Sequence, residues 1–233
     1  MTPVNAASTP ETNHANHGTP TSDRIVWIDC EMTGLDIARD ALIEVAAVVT
    51  DSELNVLGEG IDVLIAPPAQ ALEQMDPFVR QMHTSSGLLE ALAGGMTLAA
   101  AQDAVLAHIR VLVPEPDKAP LAGNSVGTDK MFLDRDMPEL AGHLHYRIID
   151  VSSFKEVARR WYPRIYFAAP VKNGGHRALA DILESIDELR YYRAAMLVAP
   201  PGPDSDAARA VAAEVIASSV RIPRDKGGVA DGT

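Results

Sequence analysis

The sequence is short of cysteine: Cys30 is the single one among 233 residues. One cysteine excludes an intramolecular disulfide framework and fits the reducing cytoplasm. Long hydrophobic runs are missing too, since none reaches the ~18 residues that a membrane-spanning helix needs. Residues 1–23 lack both the basic and the apolar region of a secretory signal. We therefore expect a cytoplasmic protein with no membrane partner.

Basic residues are also scarce, because 20 Lys and Arg stand against 32 Asp and Glu and give a net charge of −12. Sequence-independent binding of long nucleic acids usually relies on many Lys and Arg contacts to phosphates. The deficit is uneven, since residues 130–177 contain more basic than acidic side chains. A short substrate with few phosphate contacts fits this distribution, although a solvated charged surface gives the same pattern.

The length suits one compact domain, with two small domains as the alternative. Residues 1–22 are rich in Thr, Asn, Pro and Ala without hydrophobic periodicity, which predicts a disordered N-terminal tail. We assign 23–199 to the folded domain. Residues 200–233 form a Pro-rich linker and a C-terminal tail, in which 207–220 has the composition of a short Ala-rich helix.

The order of elements predicts the fold class. Three β-rich runs come first, at 24–29, 41–51 and 56–65, and indicate an antiparallel meander. Helical patterns follow at 84–92 and 97–113, and short strands at 120–123 and 147–150 then alternate with helices at 128–136, 153–161 and 177–196. This order is typical of an α/β, RNase H-like fold: a mixed five-stranded sheet, its first three strands antiparallel, flanked by α-helices.

Two acids stand at the end of the first predicted strand. Asp29 and Glu31 are two residues apart, so a strand places both side chains on one face and Cys30 on the other. Two carboxylates this close repel each other when ionised, and a divalent cation relieves that repulsion. Exposed acid pairs are common, however, and the pair alone indicates metal binding only weakly.

Three further side chains are candidates for the same chemistry. Asp129 shares the apolar face of a short helix and therefore needs a partner, unless it only stabilises the helix N-terminus. Asp181 lies at the border of an apolar helix face, where the alternative is an ordinary solvated acid such as Glu188. His176 follows two glycines and is a candidate general base, although a lone histidine is usually structural.

In this order the motifs resemble the DEDDh 3′→5′ exonucleases of the RNase H-like superfamily. The motifs are IDCEMTGLD at 28–36, GNSVGTD at 123–129, and His176 five residues before Asp181. Within that superfamily the chain is similar to the oligoribonucleases, through the runs at 82–88, 137–140, 145–147 and 150–152. The resemblance covers about residues 23–196.

The resemblance implies hydrolysis of phosphodiester bonds with two divalent cations, Mg²⁺ or Mn²⁺. In that family pattern Asp29 bridges both ions, Glu31 and Asp181 complete the first site, and Asp129 serves the second. His176 removes a proton from the attacking water. One departure is Ala180, where related enzymes often carry another acid, and the spacing from His176 favours Asp181 as the ligand.

The resemblance also implies how a short RNA is bound. Leu35 and Phe78 would stack against bases, a contact that is indifferent to sequence, and His83 and Ser125 would line the pocket. The family usually has Trp at the position of Phe78, which leaves the strength of that contact open.

A closed end of the pocket is implied as well. Arg147 and Ser152 match family residues that close over the 5′ phosphate, and Tyr146 would act across the interface of a homodimer. Such a pocket favours dinucleotides, because a longer chain has nowhere to pass. Without the resemblance, Tyr146 and Arg147 would be read as an ordinary strand edge.

Three alternatives remain open from the sequence. The chain could be a broader DEDDh exonuclease that trims tRNA ends or proofreads DNA, a catalytically silent RNA-binding module, or an acidic scaffold that binds calcium. The sequence leaves open which metal is used, and whether signalling dinucleotides or RNA-decay fragments are the main substrate.

Overall fold

The computed structural model describes residues 23–171 and 175–219. A mixed five-stranded sheet has the order β3-β2-β1-β4-β5. The strands are β1 (Ile25–Met32), β2 (Leu42–Thr50), β3 (Val56–Leu64), β4 (Pro120–Gly123) and β5 (His145–Asp150). Strands β1, β2 and β3 pair antiparallel, whereas β4 is parallel to both β1 and β5. The predicted RNase H-like sheet with three antiparallel strands first is therefore confirmed.

Helices cover both faces of the sheet. Those of the described ranges are α1 (Ala69–Glu73), α2 (Pro77–Ser85), α3 (Leu88–Ala91), α4 (Leu98–Leu112), α5 (Gly127–Asp136), α6 (Pro138–His143), α7 (Val151–Trp161), α8 (Pro163–Phe167), α9 (Ala178–Met196) and α10 (Ser205–Ser218). The helices predicted near α4, α5, α9 and α10 are confirmed. Thr97, a residue type that favours a helix N-cap, caps α4, with its hydroxyl accepting the Ala100 N–H at 3.3 Å.

Two predicted helix boundaries are wrong. The single helix predicted over 84–92 is broken at Gly87, whose φ of +75° is left-handed and incompatible with a continuing helix. The helix expected to start at Ser153 begins earlier, because the Asp150 carboxylate accepts the Ser152 N–H at 2.9 Å and caps it there. The sequence of residues 163–175 predicts an irregular segment, but it contains α8, which begins with a proline, a residue that suits the first helical turn. Residues 172–174 lie outside the described ranges.

The sheet separates two hydrophobic cores. Side chains of β1 such as Val26 and Ile28 pack with Ile109 of α4 and Phe132 of α5 on one face. On the other face Trp27 is fully buried, among residues that come mainly from α7 and α9. Because β1 is covered on both faces, its first half is a continuous apolar run rather than an alternating one.

The alternation along β1 and β2 determines which face carries the acids. Asp29 and Glu31 follow Trp27 at even offsets in sequence and therefore lie on the same face of β1. Their side chains project toward α9, as that of Trp27 does. All nine residues of β2 are buried. The site therefore forms where the α9 side of the sheet reaches the end of β1.

Most residues of the two chain termini are outside the described ranges. Residues 1–22 and 220–233, to which we assigned tails, are not among the described residues. The side chains of α10 are exposed along its whole length. Within 23–171 and 175–219, every helix is too short or too polar to cross a lipid bilayer.

Two positions on α4 test the core assignment. Ile109 is fully buried, whereas Val111 is 79% exposed. We expect Ile109→Ala to lower the free energy of unfolding by about 2–5 kcal/mol, because it removes buried methyl groups and leaves a cavity. Val111→Ala should stay within about 0.5 kcal/mol of the parent. Urea denaturation followed by circular dichroism measures both, and equal losses would contradict the assignment.

Candidate active site

An open cleft of about 370 Å³ lies at the end of β1. We call it the acidic cleft; its lining comprises Asp29, Cys30, Glu31, Met32, Leu35, Asn124, Ser125, Thr128, Asp129, His176, Asp181 and Ser185. The five predicted catalytic side chains are all in this set, although they come from β1, α5, α9 and the segment before α9. The fold therefore brings together residues that are far apart in sequence.

Three of these side chains form a cluster with the geometry of a cation site. Glu31, His176 and Asp181 each offer one ligand atom, and those atoms lie within 4.8 Å of one another. Carboxylate oxygens are hard ligands that suit Mg²⁺ and related divalent cations. The cluster could therefore hold a metal ion, with Asp29 and Asp129 lining the same cleft.

The pKa of the Glu31 carboxyl group is raised well above its usual value. Burial and then the nearby carboxylate of Asp181 raise its pKa to about 7, with Glu44 and Asp129 adding to the effect and Arg177 opposing it. A bound cation would reverse this shift, since opposite charge favours the ionised form. These side chains therefore suit a site that binds a cation.

Asp129 accepts a hydrogen bond from the backbone of β1. Its Oδ1 accepts the Cys30 N–H at 3.0 Å, which supplies the partner that its buried position demands. Burial raises the pKa of Asp129 to about 6, even though hydrogen bonds, including that of Cys30, act to lower it. The contact links α5 directly to the strand that carries Asp29 and Glu31.

Leu35 projects into solvent from a tightly bonded loop. Its side chain is 74% exposed, while the neighbouring Asp40 is buried and accepts from the Asp36 N–H at 2.8 Å and the Thr33 hydroxyl at 3.3 Å. A Cβ on Gly34 would lie 2.4 Å from an oxygen of Asp40, so only glycine fits there. The loop therefore presents an apolar side chain at the rim of the acidic cleft.

Phe78 lies in an adjoining pocket. This pocket, of about 540 Å³, is lined by Phe78, Gln81, Met82, Ser85, Ser86, Gly175 and His176. Since His176 lines both cavities, the pocket continues directly from the acidic cleft. Phe78 is 76% exposed, and its ring is available for stacking.

Ser125 and Ser152 are joined through one carboxylate. Asp150 at the end of β5 accepts the Ser125 N–H at 2.9 Å and the Ser152 hydroxyl at 2.6 Å. Ser125 has a left-handed φ of +54°, which is uncommon for a residue other than glycine. Asp150 thus fixes the loop after β4 against the start of α7.

Tyr146 and Arg147 lie elsewhere, on the edge strand β5. The Tyr146 side chain is 72% exposed, and the Arg147 guanidinium lies 5.3 Å from the centre of its ring. Neither residue lines the acidic cleft in a single chain. An edge strand with exposed apolar side chains is a surface that another chain can cover.

His83, which the family resemblance placed in the lining of the pocket, lines neither the acidic cleft nor the Phe78 pocket. It is fully buried, and its Nε2 donates to the Met32 carbonyl at 2.9 Å. Its Nδ1 lies 4.0 Å from the Glu31 carboxylate, and burial lowers its pKa. His83 therefore packs behind the end of β1, close to Glu31.

Sequence reasoning missed two buried acids near the site. Glu44 of β2 is fully buried, and Glu188, expected to be solvated, is 4% exposed. Glu188 accepts from the Asn124 amide at 2.9 Å and pairs with Lys155 at 3.3 Å. One signal for Glu44 was present: it is the single acid in an otherwise apolar strand.

The match to a family model agrees with this geometry. The RNase_T model, described as Exonuclease, matches residues 26–189. A solved structure of E. coli exonuclease I with single-stranded DNA superposes with a TM-score of 0.56 at 20% identity, over 75% of this chain and 40% of that one. Exonuclease I from Methylocaldum szegediense gives 0.56 at 20% identity, over 74% and 41%. The chain thus spans about two fifths of these exonucleases and shares their fold.

Curated relatives are far more similar in sequence. The oligoribonuclease of Streptomyces griseus is 69% identical over 84% of this chain and 98% of its own length. That of Streptomyces coelicolor is 68% identical over 85% and 99%, and that of a Mycobacterium species is 57% identical over 83% and 90%. At this identity, over nearly the full length of these relatives, the chain belongs to the RNase_T exonuclease family and, within it, to the oligoribonucleases.

Proposed function

We propose that the protein is a metal-dependent 3′→5′ exoribonuclease that degrades very short RNAs, especially dinucleotides, to nucleoside 5′-monophosphates. One observation supports this most directly: a chain of the oligoribonuclease family has Asp29, Glu31, Asp129, Asp181 and His176 around one cleft. The net charge of −12 is compatible with a small substrate, because a dinucleotide makes few phosphate contacts. The cytoplasm is the proposed location.

The carboxylates would hold two divalent cations, Mg²⁺ or Mn²⁺. Asp29 would be shared between the two ions, with Glu31 and Asp181 on one and Asp129 on the other. When bound, such a pair supplies an activated water and stabilises negative charge on the leaving 3′ oxygen. The raised pKa values of Glu31 and Asp129 support the assignment, since crowded carboxylates without a cation resist ionisation.

His176 would accept the proton of the attacking water. An imidazole exchanges protons near neutral pH, and a correctly placed general base contributes about 10²–10⁴-fold to a rate. His176 is exposed on the segment that leads into α9 and lines both the acidic cleft and the Phe78 pocket. From that position it would act between the carboxylates and a substrate bound in the Phe78 pocket.

Substrate length would be set by the surroundings of the cleft. Leu35 and Phe78 would stack on bases without selecting their identity. Ser125 would line the pocket, and Arg147 with Ser152 would close over the 5′ phosphate. Tyr146 would complete the pocket from across the interface of a homodimer. The exposed edge strand β5 supports this arrangement, because a partner would cover its apolar side chains.

The preference for short RNA can be tested directly. We expect the purified protein with Mn²⁺ to convert a 5′-labelled dinucleotide to mononucleotides faster than it trims a seven-nucleotide RNA, because a closed pocket has no exit for a longer chain. Separating labelled products on a gel over time gives both rates. Equal or faster trimming of the longer RNA would instead favour a general exonuclease, and binding without cleavage would favour a silent RNA-binding module.

Two aspartates of α9 provide a matched pair for the catalytic assignment. Asp181→Asn should lower the rate of dinucleotide hydrolysis by about 10²-fold or more, since a ligand of a catalytic cation contributes several kcal/mol. Asp187→Asn should leave the rate within about twofold, because this side chain is 63% exposed and pairs with Arg190. Similar rates for the two variants would remove Asp181 from the site.

Cation binding should depend on pH in a defined direction. Glu31 and Asp129 have pKa values raised to about 7 and about 6, and both must lose their protons to bind a cation. In the metal-free protein they hold protons that the unfolded chain has released, so stability falls as pH rises through this window. We therefore expect the Mn²⁺-induced rise in melting temperature to be larger at about pH 8 than at about pH 6.

Thermal unfolding at the two pH values measures this rise, with Asp187→Asn as a variant that should behave like the parent. Glu31→Gln should reduce the rise at the higher pH, because the amide is a weaker cation ligand. A rise that is independent of pH would contradict the assignment of these carboxylates as ligands.

A further inference from the structure

A buried acid next to the site has no place in the mechanism above. Glu44 lies on β2 directly opposite Glu31 in the antiparallel register, and it is fully buried. Burying a carboxylate is costly unless its oxygens are paired and hydrogen-bonded. The structure shows both kinds of partner, and both come from the start of α9.

Each oxygen of Glu44 has its own partner. Oε1 accepts from Nε of Arg177 at 2.8 Å and lies 2.8 Å from a second guanidinium nitrogen. Oε2 accepts the backbone N–H of Ala178 at 3.1 Å. Two nitrogens of the planar Arg177 guanidinium thus contact the Glu44 carboxylate. This contact is more directional than one made by a single ammonium group. Asp62 of β3 lies 3.5 Å from the same guanidinium.

This contact caps α9 from another part of the chain. The first N–H groups of a helix lack partners within the helix, and here a carboxylate of β2 accepts one of them. Asp181 follows within the first turn, where its N–H donates to the Arg177 carbonyl at 3.1 Å. The Glu44 contact therefore fixes the end of α9 that carries a predicted cation ligand.

The residue just before this contact is His176. It has a left-handed φ of +47°, a conformation that costs residues other than glycine about 1–2 kcal/mol. Such a conformation persists where the surrounding structure holds it. Arg177 and Ala178 are both bound to Glu44, so the backbone on the C-terminal side of His176 is fixed to the central sheet.

We propose that Glu44 and Arg177 are positioning residues that hold the His176 imidazole at the water it deprotonates. The inference rests on the proposed function, in which His176 is the general base. Arg177 has an additional, competing role open to it: its side chain is 39% exposed, and a guanidinium can bind phosphate directly. Its engagement by Glu44 and Asp62 favours positioning over phosphate binding.

Arg177→Lys is the sharpest probe. It keeps the positive charge beside the buried Glu44 but replaces the two-nitrogen fork with one ammonium group. We expect kcat for dinucleotide hydrolysis to fall on the order of 10- to 100-fold, because small displacements of a catalytic group have effects of this size. KM should stay within about twofold. Glu44→Gln, which keeps the shape of the side chain, should give the same pattern as an independent second variant.

A double-variant cycle separates positioning from a purely structural role. In a His176→Ala background the Arg177→Lys change should have less than about a twofold further effect, since groups that act as a unit are not additive. Arg193→Lys is the matched control: Arg193 lies on the same helix and pairs with Glu53 at the surface at 2.6 Å. It should leave kcat and KM unchanged.

Other outcomes overturn the proposal in distinct ways. A raised KM with unchanged kcat would show that Arg177 binds substrate phosphate. Equal effects of Arg177→Lys in the parent and in the His176→Ala background would show that it does not act through His176. Full activity of both Arg177→Lys and Glu44→Gln would remove the positioning role while leaving the proposed function intact. An inactive parent protein would instead reject the proposed function, and this inference with it.

Discussion

Burial of neighbouring carboxylates, together with their mutual repulsion, is the constraint on which the site depends. Glu31, Asp129 and Asp181 lie around one cleft beside a buried sheet, and burial raises the pKa of Glu31 and of Asp129. The fold offsets part of this repulsion with the Cys30 N–H at Asp129 and with the Arg177 guanidinium near Glu31. A divalent cation in the cleft would offset more of it.

Much of the fold follows from patterns that act over a few residues. The period of two along β1 places Asp29 and Glu31 on one face, and the long helical period predicts α9 with Asp181 in its first turns. Short elements escape such reasoning: α1, α3 and α8 span at most five residues each, too few for a hydrophobic period to be recognised.

The supporting side chains could not be predicted for a different reason. His83 contacts Met32 across 51 positions, and Glu44 contacts Arg177 across 133. Local propensity carries no information about such partners, which are set by how the helices pack on the sheet. Ser153 illustrates the same limit. Ser153 and Glu156 have the spacing of a capping box, which predicts a helix start there, whereas Asp150 takes that role because β5 ends at it.

The position of α9 at the end of the domain sequence has a consequence for synthesis. Glu31 is on the first strand and Asp181 on the last helix to pack against the sheet. Because a chain is made from its N-terminus, the complete set of carboxylates cannot assemble on a nascent chain until α9 has left the ribosome and docked. A partly made chain thus carries Asp29, Glu31 and Asp129 without Asp181, and we expect it to be inactive until translation of the domain is complete.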